Sequence, residues 1–390
     1  MPISIINVVL STQIFIAVFV IALLVSIRRQ KKTETFPLTV TQELKGIAIF
    51  AVIFSHVGYF LSTDHRFLFP LSILAGVGVN LFFFLSGYGL TKSALKAKLP
   101  IIKFYQKRLL KLFTPFWIVI VIIFALDFFL LHITYSWPYI VRSALGIFPS
   151  ADLFHDINSP LWFITPIVFY YLVFPFVFSK KRPWLTAIAT FLMTYIILQF
   201  ELPITGGVFH LYQVHLFAFP LGVLFASLVN YLASNESQAI LREFQRLVSI
   251  KKIINKLRIQ NIPPLTLKII KQISYYVFLI ILLGTIVFTA YYSGVGTSVN
   301  KEQTISLVTM FALILFFIIK RFEIKLFYLF GFYSFEIYLI HWPLMSRYDM
   351  FFKWLPGWLA MVLYLGVFLI VAWVLKYLST LISRNAFLKK

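Results

Sequence analysis

The chain reads as an all-α protein, a polytopic membrane helical bundle of about eleven transmembrane helices with its N-terminus outside and its C-terminus inside. Three observations predict this. Of 390 residues, 61% are apolar and only 12% charged, with a mean hydropathy of +0.91, far more apolar surface than a soluble core of this length could bury. The apolar runs last about twenty residues, the length a helix needs to cross the hydrocarbon, and lack the ten-residue alternation of membrane strands. Thirty of the 35 Lys and Arg residues fall at alternate ends of those runs, the bias that cytoplasmic loops carry.

The spans justify themselves in order through their connections. The first, Ile5 to Ile27, is followed by Arg28, Arg29, Lys31 and Lys32. Charges after the apolar run, with no small-x-small cleavage pattern, read as a reverse anchor rather than a cleaved signal peptide. Leu44 to Leu61 and Leu71 to Leu90 lead into the basic stretch from Lys92 to Lys111. Leu112 to Leu131 and Leu161 to Phe178 lead to Lys180, Lys181 and Arg182. Trp184 to Phe200 and Leu211 to Leu232 open onto a long basic connection, residues 232–272. Ile273 to Tyr292 and Ile305 to Ile319 end at Lys320, Arg321 and Lys325, and Phe327 to Leu344 and Trp358 to Leu378 return the chain to Lys376, Arg384, Lys389 and Lys390. Only Arg66, Arg142, Lys301, Arg347 and Lys353 remain for the outer side. Adding or removing one span would scramble this alternation.

Residues 1–32 are therefore expected to form an additional N-terminal anchor, 33–378 one transmembrane domain, and 379–390 a cytoplasmic tail. In the long connection Arg242, Arg246, Lys251, Lys252, Lys256 and Arg258 interleave with Leu247, Ile250, Ile253, Ile254 and Leu257 at helical spacing. Such a segment is expected to lie along the inner leaflet, held by apolar burial and anionic membrane lipid.

The net charge of +22 follows from loop bias, so no nucleic-acid partner is expected. With no cysteine there is no disulfide framework, thiol nucleophile or thiolate metal site. His210 and His215 lack a third ligand at useful spacing, so no metal site is expected. The absence of cysteine is compatible with a bacterial envelope protein, and the predicted location is the cytoplasmic membrane.

A charge at the centre of a membrane helix costs roughly 2.5–3.5 kcal/mol on insertion scales, so polar residues inside spans need a reason. Lys45 and His56 are eleven residues apart, three helical turns plus about 20°, so both project from nearly one face, roughly 16 Å apart along the axis. A cation at the water boundary can grip phosphate, while a neutral imidazole in a dry interior can take a proton from a hydroxyl. A structural, hydrogen-bonding role for His56 is the alternative.

Other polar groups gather around this helix. The third span carries Asn80 and ends Ser86-Gly87-Tyr88-Gly89, where the glycines permit close helix approach or an unwound end. Beyond it Phe104, Arg108 and Lys111 fall at i, i+4 and i+7, a cationic stripe on the same side as Lys45. In the tenth span Ser334, Tyr338 and His341 share a polar stripe, whereas Glu336 points elsewhere. Glu336 could orient a catalytic histidine, relay a proton or pair structurally. Asp127 and His132 read as a pair at the outer boundary. Trp162 lies after an outer loop rich in polar groups, where it could stack on a sugar or simply anchor the interface.

Together these motifs resemble the membrane-bound acyltransferase family called acyltransferase 3. Its members carry a basic residue, ten intervening residues and a histidine, as Lys45 and His56 do. A phenylalanine-rich span ends in Ser86, Gly87 and Tyr88; an inner basic pair precedes a proline, as Arg108, Lys111 and Pro115; a tryptophan motif is matched by Leu161, Trp162 and Phe163; and Ser334, Tyr338, His341 and Pro343 match the last pattern. The resemblance covers Glu43 to about Leu378. Three departures stand out. Lysine occupies positions 45 and 111, where arginine is common, no glutamate appears among Thr165, Pro166, Ile167 and Val168, and an additional first span precedes the core.

The resemblance implies an O-acetyltransferase of envelope carbohydrates, moving an acyl group, commonly acetyl from acetyl-CoA, onto a hydroxyl of an extracytoplasmic glycopolymer. It casts His56 as general base and Lys45, Arg108 and Lys111 as acyl-CoA contacts; beside these, Glu336 and Tyr338 are candidates for supporting catalytic groups, and Ser86 and Tyr88 for further acyl-CoA contacts. Asn80, Trp162 and His341 fall to the acceptor, and Tyr338 or Asn80 to the oxyanion. An acyl-enzyme on Ser86 or Tyr88 is left open. With no extracytoplasmic domain expected, any second transfer step needs a separate extracytoplasmic transferase partner. Two other readings stay open, a glycolipid or sugar transporter or flippase, against which stands the lack of paired interrupted helices, and a scaffold for envelope synthesis.

Overall fold

The computed structural model describes residues 2–30, 36–97, 100–200, 202, 206–233, 264–293 and 298–388. Every one of the eleven expected spans is helical. They comprise α1 (Val8–Val25), α2 (Leu38–Ser55), α3 (Ala75–Lys96), α4 (Ile101–Leu131), α5 (Trp137–Ala144) in an outer connection, α6 (Ile164–Val177) and α7 (Pro183–Ile197). Then follow α8 (Phe209–His215), α9 (Ala218–Leu232), α10 (Pro264–Tyr292), α11 (Val299–Ile319), α12 (Lys325–Phe332), α13 (Ser334–Ser346) and α14 (Gly357–Leu388). Among the described residues eight helical spans are long and apolar enough to cross a membrane. The remaining expected spans are helices that are shorter, broken or, in the case of α3, enriched in glycine and hydroxyls. The chain is thus an integral-membrane helical bundle.

The sequence hid several interruptions. α2 continues into a π-helical turn, His56–Leu61. The expected tenth span is two helices, α12 and α13, parted at Tyr333, and the seventh is α8 and α9, parted at Leu216 and Phe217. Interrupted helices are therefore present, contrary to the reading from hydropathy alone, which registers a short break as continuous apolar sequence. The break also moves Glu336 from the middle of a span to the first turn of α13.

Other boundaries shift for a related reason. α4 begins at Ile101 rather than Leu112 and runs 31 residues, about 46 Å at 1.5 Å per residue, so its basic first turns extend past a hydrocarbon core of about 30 Å. α10 starts at Pro264, and α14 continues through the expected tail to Leu388. The amphipathic basic stretch of the long connection, from Arg242 to Arg258, lies outside the described residues.

α2 is the central element. Of its apolar window 72% is buried, against 11% for α10, which turns most of its surface outward. Two glycines let α12 cross α2 at backbone contact. A Cβ on Gly331 would sit 1.7 Å from the Gln42 carbonyl oxygen, and one on Gly46 would sit 2.0 Å from that of Phe327. Small residues admit this approach because lipid supplies no hydrophobic pressure to favour larger ones. Phe15 of α1 packs edge-on against Phe54 of α2 at 5.4 Å, and Phe19 against Phe50 at 5.0 Å.

Contacts at the two ends of the bundle join segments expected on the same side. On one side β1 (Ile27–Arg29) pairs antiparallel with β2 (Phe322–Ile324), Ile27 opposite Ile324. Glu43, fully buried, accepts from Lys320 Nζ at 2.7 Å and from the Ile324 amide at 2.6 Å. This fastens the β pair to the start of α2, two residues from Lys45. On the other side the Ile3 amide donates to the Leu61 carbonyl at 2.8 Å.

The outer pairing expected of Asp127 is with Arg347 and the Tyr135 and Tyr348 hydroxyls, not with His132. His132 instead ends α4 in the left-handed region, φ 54°. Burial, with Asp127 beside them, pushes the Tyr135 and Tyr348 phenols above their usual range.

Candidate active site

α2 places Lys45 and His56 as the spacing requires, and the π-helical turn begins at His56 itself. Widened turns of this kind re-aim a side chain and recur at functional sites. His56 Nδ1 lies 2.7 Å from His341 Nε2, with the two rings stacked at 5.0 Å and 19°. His341 is fully buried while His56 is half-buried.

Backbone carbonyls decide the tautomers. His341 Nδ1 lies 2.9 Å from the Tyr338 carbonyl and 3.2 Å from that of Ile337. A carbonyl only accepts, so Nδ1 of His341 carries the proton and its Nε2 is an acceptor. His56 Nδ1–H therefore donates to His341, leaving His56 Nε2 with its lone pair free. The chain from α13 carbonyl to His341 to His56 holds a base in one orientation. The edge of Trp342, 5.2 Å away, and Phe60, at 5.9 Å, wall the His56 ring.

Towards the Lys45 end of α2 lies a cavity of about 620 Å³. Lys45, Lys107, Arg108, Lys111 and Lys376 line it, and Glu336 is the one carboxylate among its described lining residues. Lys376 Nζ lies 3.6 Å from Glu336 Oε1 and donates to the Phe332 carbonyl at 2.6 Å. Among the described residues two buried polar atoms of the lining lack a hydrogen-bond partner, the donor Nε of Arg108 and the acceptor Oε1 of Gln42. An orphaned guanidinium donor among lysines suits an anionic, phosphate-bearing ligand, and an orphaned amide oxygen suits a donor such as a ligand N–H.

Ser86 also lines the cavity and bonds the Tyr171 hydroxyl at 3.4 Å. Tyr88 does not. It turns into a neighbouring apolar cluster, its ring edge-on to Phe36 at 4.8 Å.

Tyr338 joins the two halves of the site. It lines the cavity and its ring is 5.8 Å from that of His341. Its hydroxyl donates to the Pro160 carbonyl, so its proton is already committed and the oxyanion role expected of it does not fit. Through its carbonyl Tyr338 is instead a positioning residue for His341. Asn80 is likewise engaged. Its Nδ2 donates to Ser306 at 2.9 Å and its Oδ1 lies 2.8 Å from His215 Nδ1. Trp162 is buried, stacked on His215 at 5.9 Å and near Tyr212 at 5.8 Å, so its ring is not displayed to an outer mouth. Thr165, the first of the four residues after Trp162 that supply no glutamate, tethers the outer connection through the Gly146 carbonyl and the Phe148 amide, both at 3.0 Å.

Glu336 does not orient a histidine, since its partner is Lys376 and His341 serves His56 instead. The sequence reading missed three things, namely the direct contact of His341 with His56, Lys376 as a cavity cation, and the Asn80–His215 pair. Lys376 had a signal. It is a lysine within an apolar span, which the charge alternation absorbed as topology alone.

Among the described residues no group of histidines and carboxylates could hold a metal ion. Comparison with known proteins finds a family model, described as an acyltransferase domain of the acyltransferase 3 type, that matches residues 44–377. No curated protein and no solved structure matches. The matched segment contains the histidine pair, His56 and His341, and all five cations of the cavity, from Lys45 to Lys376; the chain belongs to the acyltransferase 3 family of membrane acyltransferases.

Proposed function

We propose that the protein transfers an acyl group, acetyl in the first instance, from acyl-CoA to a hydroxyl of a cell-envelope carbohydrate, working across the cytoplasmic membrane with the cavity facing the cytoplasm. The observation that carries this reading is the succession along α2 of a cation-lined cavity at Lys45 and an oriented imidazole at His56.

In this reading Lys45, Arg108, Lys111 and Lys376 hold the phosphates of the donor, several cations against several anionic groups. His56 Nε2 takes the proton of the acceptor hydroxyl. The hydroxyl oxygen forms a bond to the acyl carbon, the carbon–sulfur bond breaks, and His56 returns the proton to the departing thiolate. While His56 is charged, its Nδ1–H bond to His341 becomes charge-assisted and stronger, which favours the step. The inner charge bias of the connections supports the sidedness. The envelope carbohydrate rests on the family resemblance and on the half-buried position of His56.

The test is incubation of the purified protein with acetyl-labelled acetyl-CoA and an envelope glycopolymer. Label in the polymer, matched by free CoA, is the expected outcome. No CoA release above the acceptor-free rate would overturn the reading.

A further inference from the structure

We infer that Phe82, Phe163 and Tyr338 form an aromatic septum that limits the acyl group to short chains, an inference that rests on the acyl-CoA reading above. All three rings line the cavity. They also touch one another, with centroids 6.1 Å apart for Phe82 and Phe163, 6.4 Å for Phe82 and Tyr338, and 5.5 Å for Phe163 and Tyr338. Tyr338 faces the cavity on one side and the His341 ring on the other. The cations share the cavity lining with these rings, whereas His341 and the His56 it contacts lie outside that lining, beside Tyr338.

A donor whose polyanionic part is held by the cations can present only its acyl end to His56, and that end must pass between the rings. Two of the rings are fastened. Tyr338 is tied through its hydroxyl to Pro160, and the adjacent Leu339 carbonyl accepts from Asn158 Nδ2 at 2.8 Å. Phe163 ends the 3₁₀ turn Ser159–Phe163 and packs on Phe83 at 4.5 Å. Phe82, half-buried on α3, is the least constrained of the three. A methyl group fits among rings in contact with little displacement, whereas each added methylene must move an aromatic side chain in a packed interior. Phe82 and Phe163 are thus specificity residues, which neither bind phosphate nor exchange a proton.

The experiment compares kcat/KM for acetyl-, butyryl- and hexanoyl-CoA in the wild type, Phe82→Ala and Phe163→Leu. The wild type should favour acetyl. Phe82→Ala should raise the hexanoyl-to-acetyl ratio roughly tenfold or more, the scale on which an apolar pocket discriminates chain size, and Phe163→Leu should move it in the same direction. Variants that transfer acetyl with an unchanged ratio would overturn the septum, as would a wild type equally active on both lengths. A wild type that releases no CoA from any of the three thioesters would overturn the acyl-CoA reading itself, and the two failures are distinct.

Discussion

His56 Nδ1 and His341 Nε2 are 2.7 Å apart, although 285 residues separate them in the chain. His341 is locked by carbonyls of its own helix, so the contact transmits the orientation of α13 to the base on α2. His341→Ala should therefore lower kcat about 10- to 100-fold, the cost typical of removing an orienting partner, with KM for acetyl-CoA unchanged. His341→Gln, which can still offer an acceptor to His56, should recover part of the loss. Steady-state kinetics with acetyl-CoA varied separates these outcomes from a fall in the amount of folded protein.

If the cavity holds acyl-CoA, as proposed, Lys376 joins the donor cations on the same footing as Arg108. Lys376→Ala and Arg108→Ala should each raise KM for acetyl-CoA by about tenfold, in line with a charge-assisted contact of roughly 1.5 kcal/mol, while kcat changes little. Glu336→Gln, which removes the one carboxylate among the described lining residues, should lower that KM. An unchanged KM in all three would reduce the basic cluster to a topology signal.

The crossing of α2 and α12 is set by atoms that leave no room for a side chain. Gly331→Ala should destabilise the protein by about 3 kcal/mol, the upper end for overpacking, because a backbone carbonyl and not a flexible side chain meets the new methyl. Gly366→Ala, with nothing within 4 Å of its Cβ, should leave thermal unfolding in detergent unchanged or slightly raised. Equal midpoints for the two variants would contradict the described crossing.

Much of this architecture is written in local sequence. Hydropathy and charge alternation point to helix at each expected span, and the spacing of Lys45 and His56 survives because a helix is a rigid ruler over eleven residues. Breaks such as Tyr333 between α12 and α13 escape that reading, since an interrupted helix keeps its apolar composition. Tertiary pairs escape it altogether. Periodicity assigns His341 to a stripe with Ser334 and Tyr338 but carries no information about the helix that stripe meets. The buried Glu43–Lys320 pair is hidden the same way, its lysine resembling any other loop cation. Trp162 reads as an interfacial anchor until His215 and Tyr212 cover it.

The central claim is that His56 is the base of the transfer. Transfer of label from acetyl-CoA, measured in membranes containing His56→Ala at wild-type abundance, tests it most directly. The account predicts a fall of about 10²- to 10⁴-fold, the contribution of a positioned general base, with KM for acetyl-CoA preserved. A folded His56→Ala protein that transfers acetyl at the wild-type rate would contradict it.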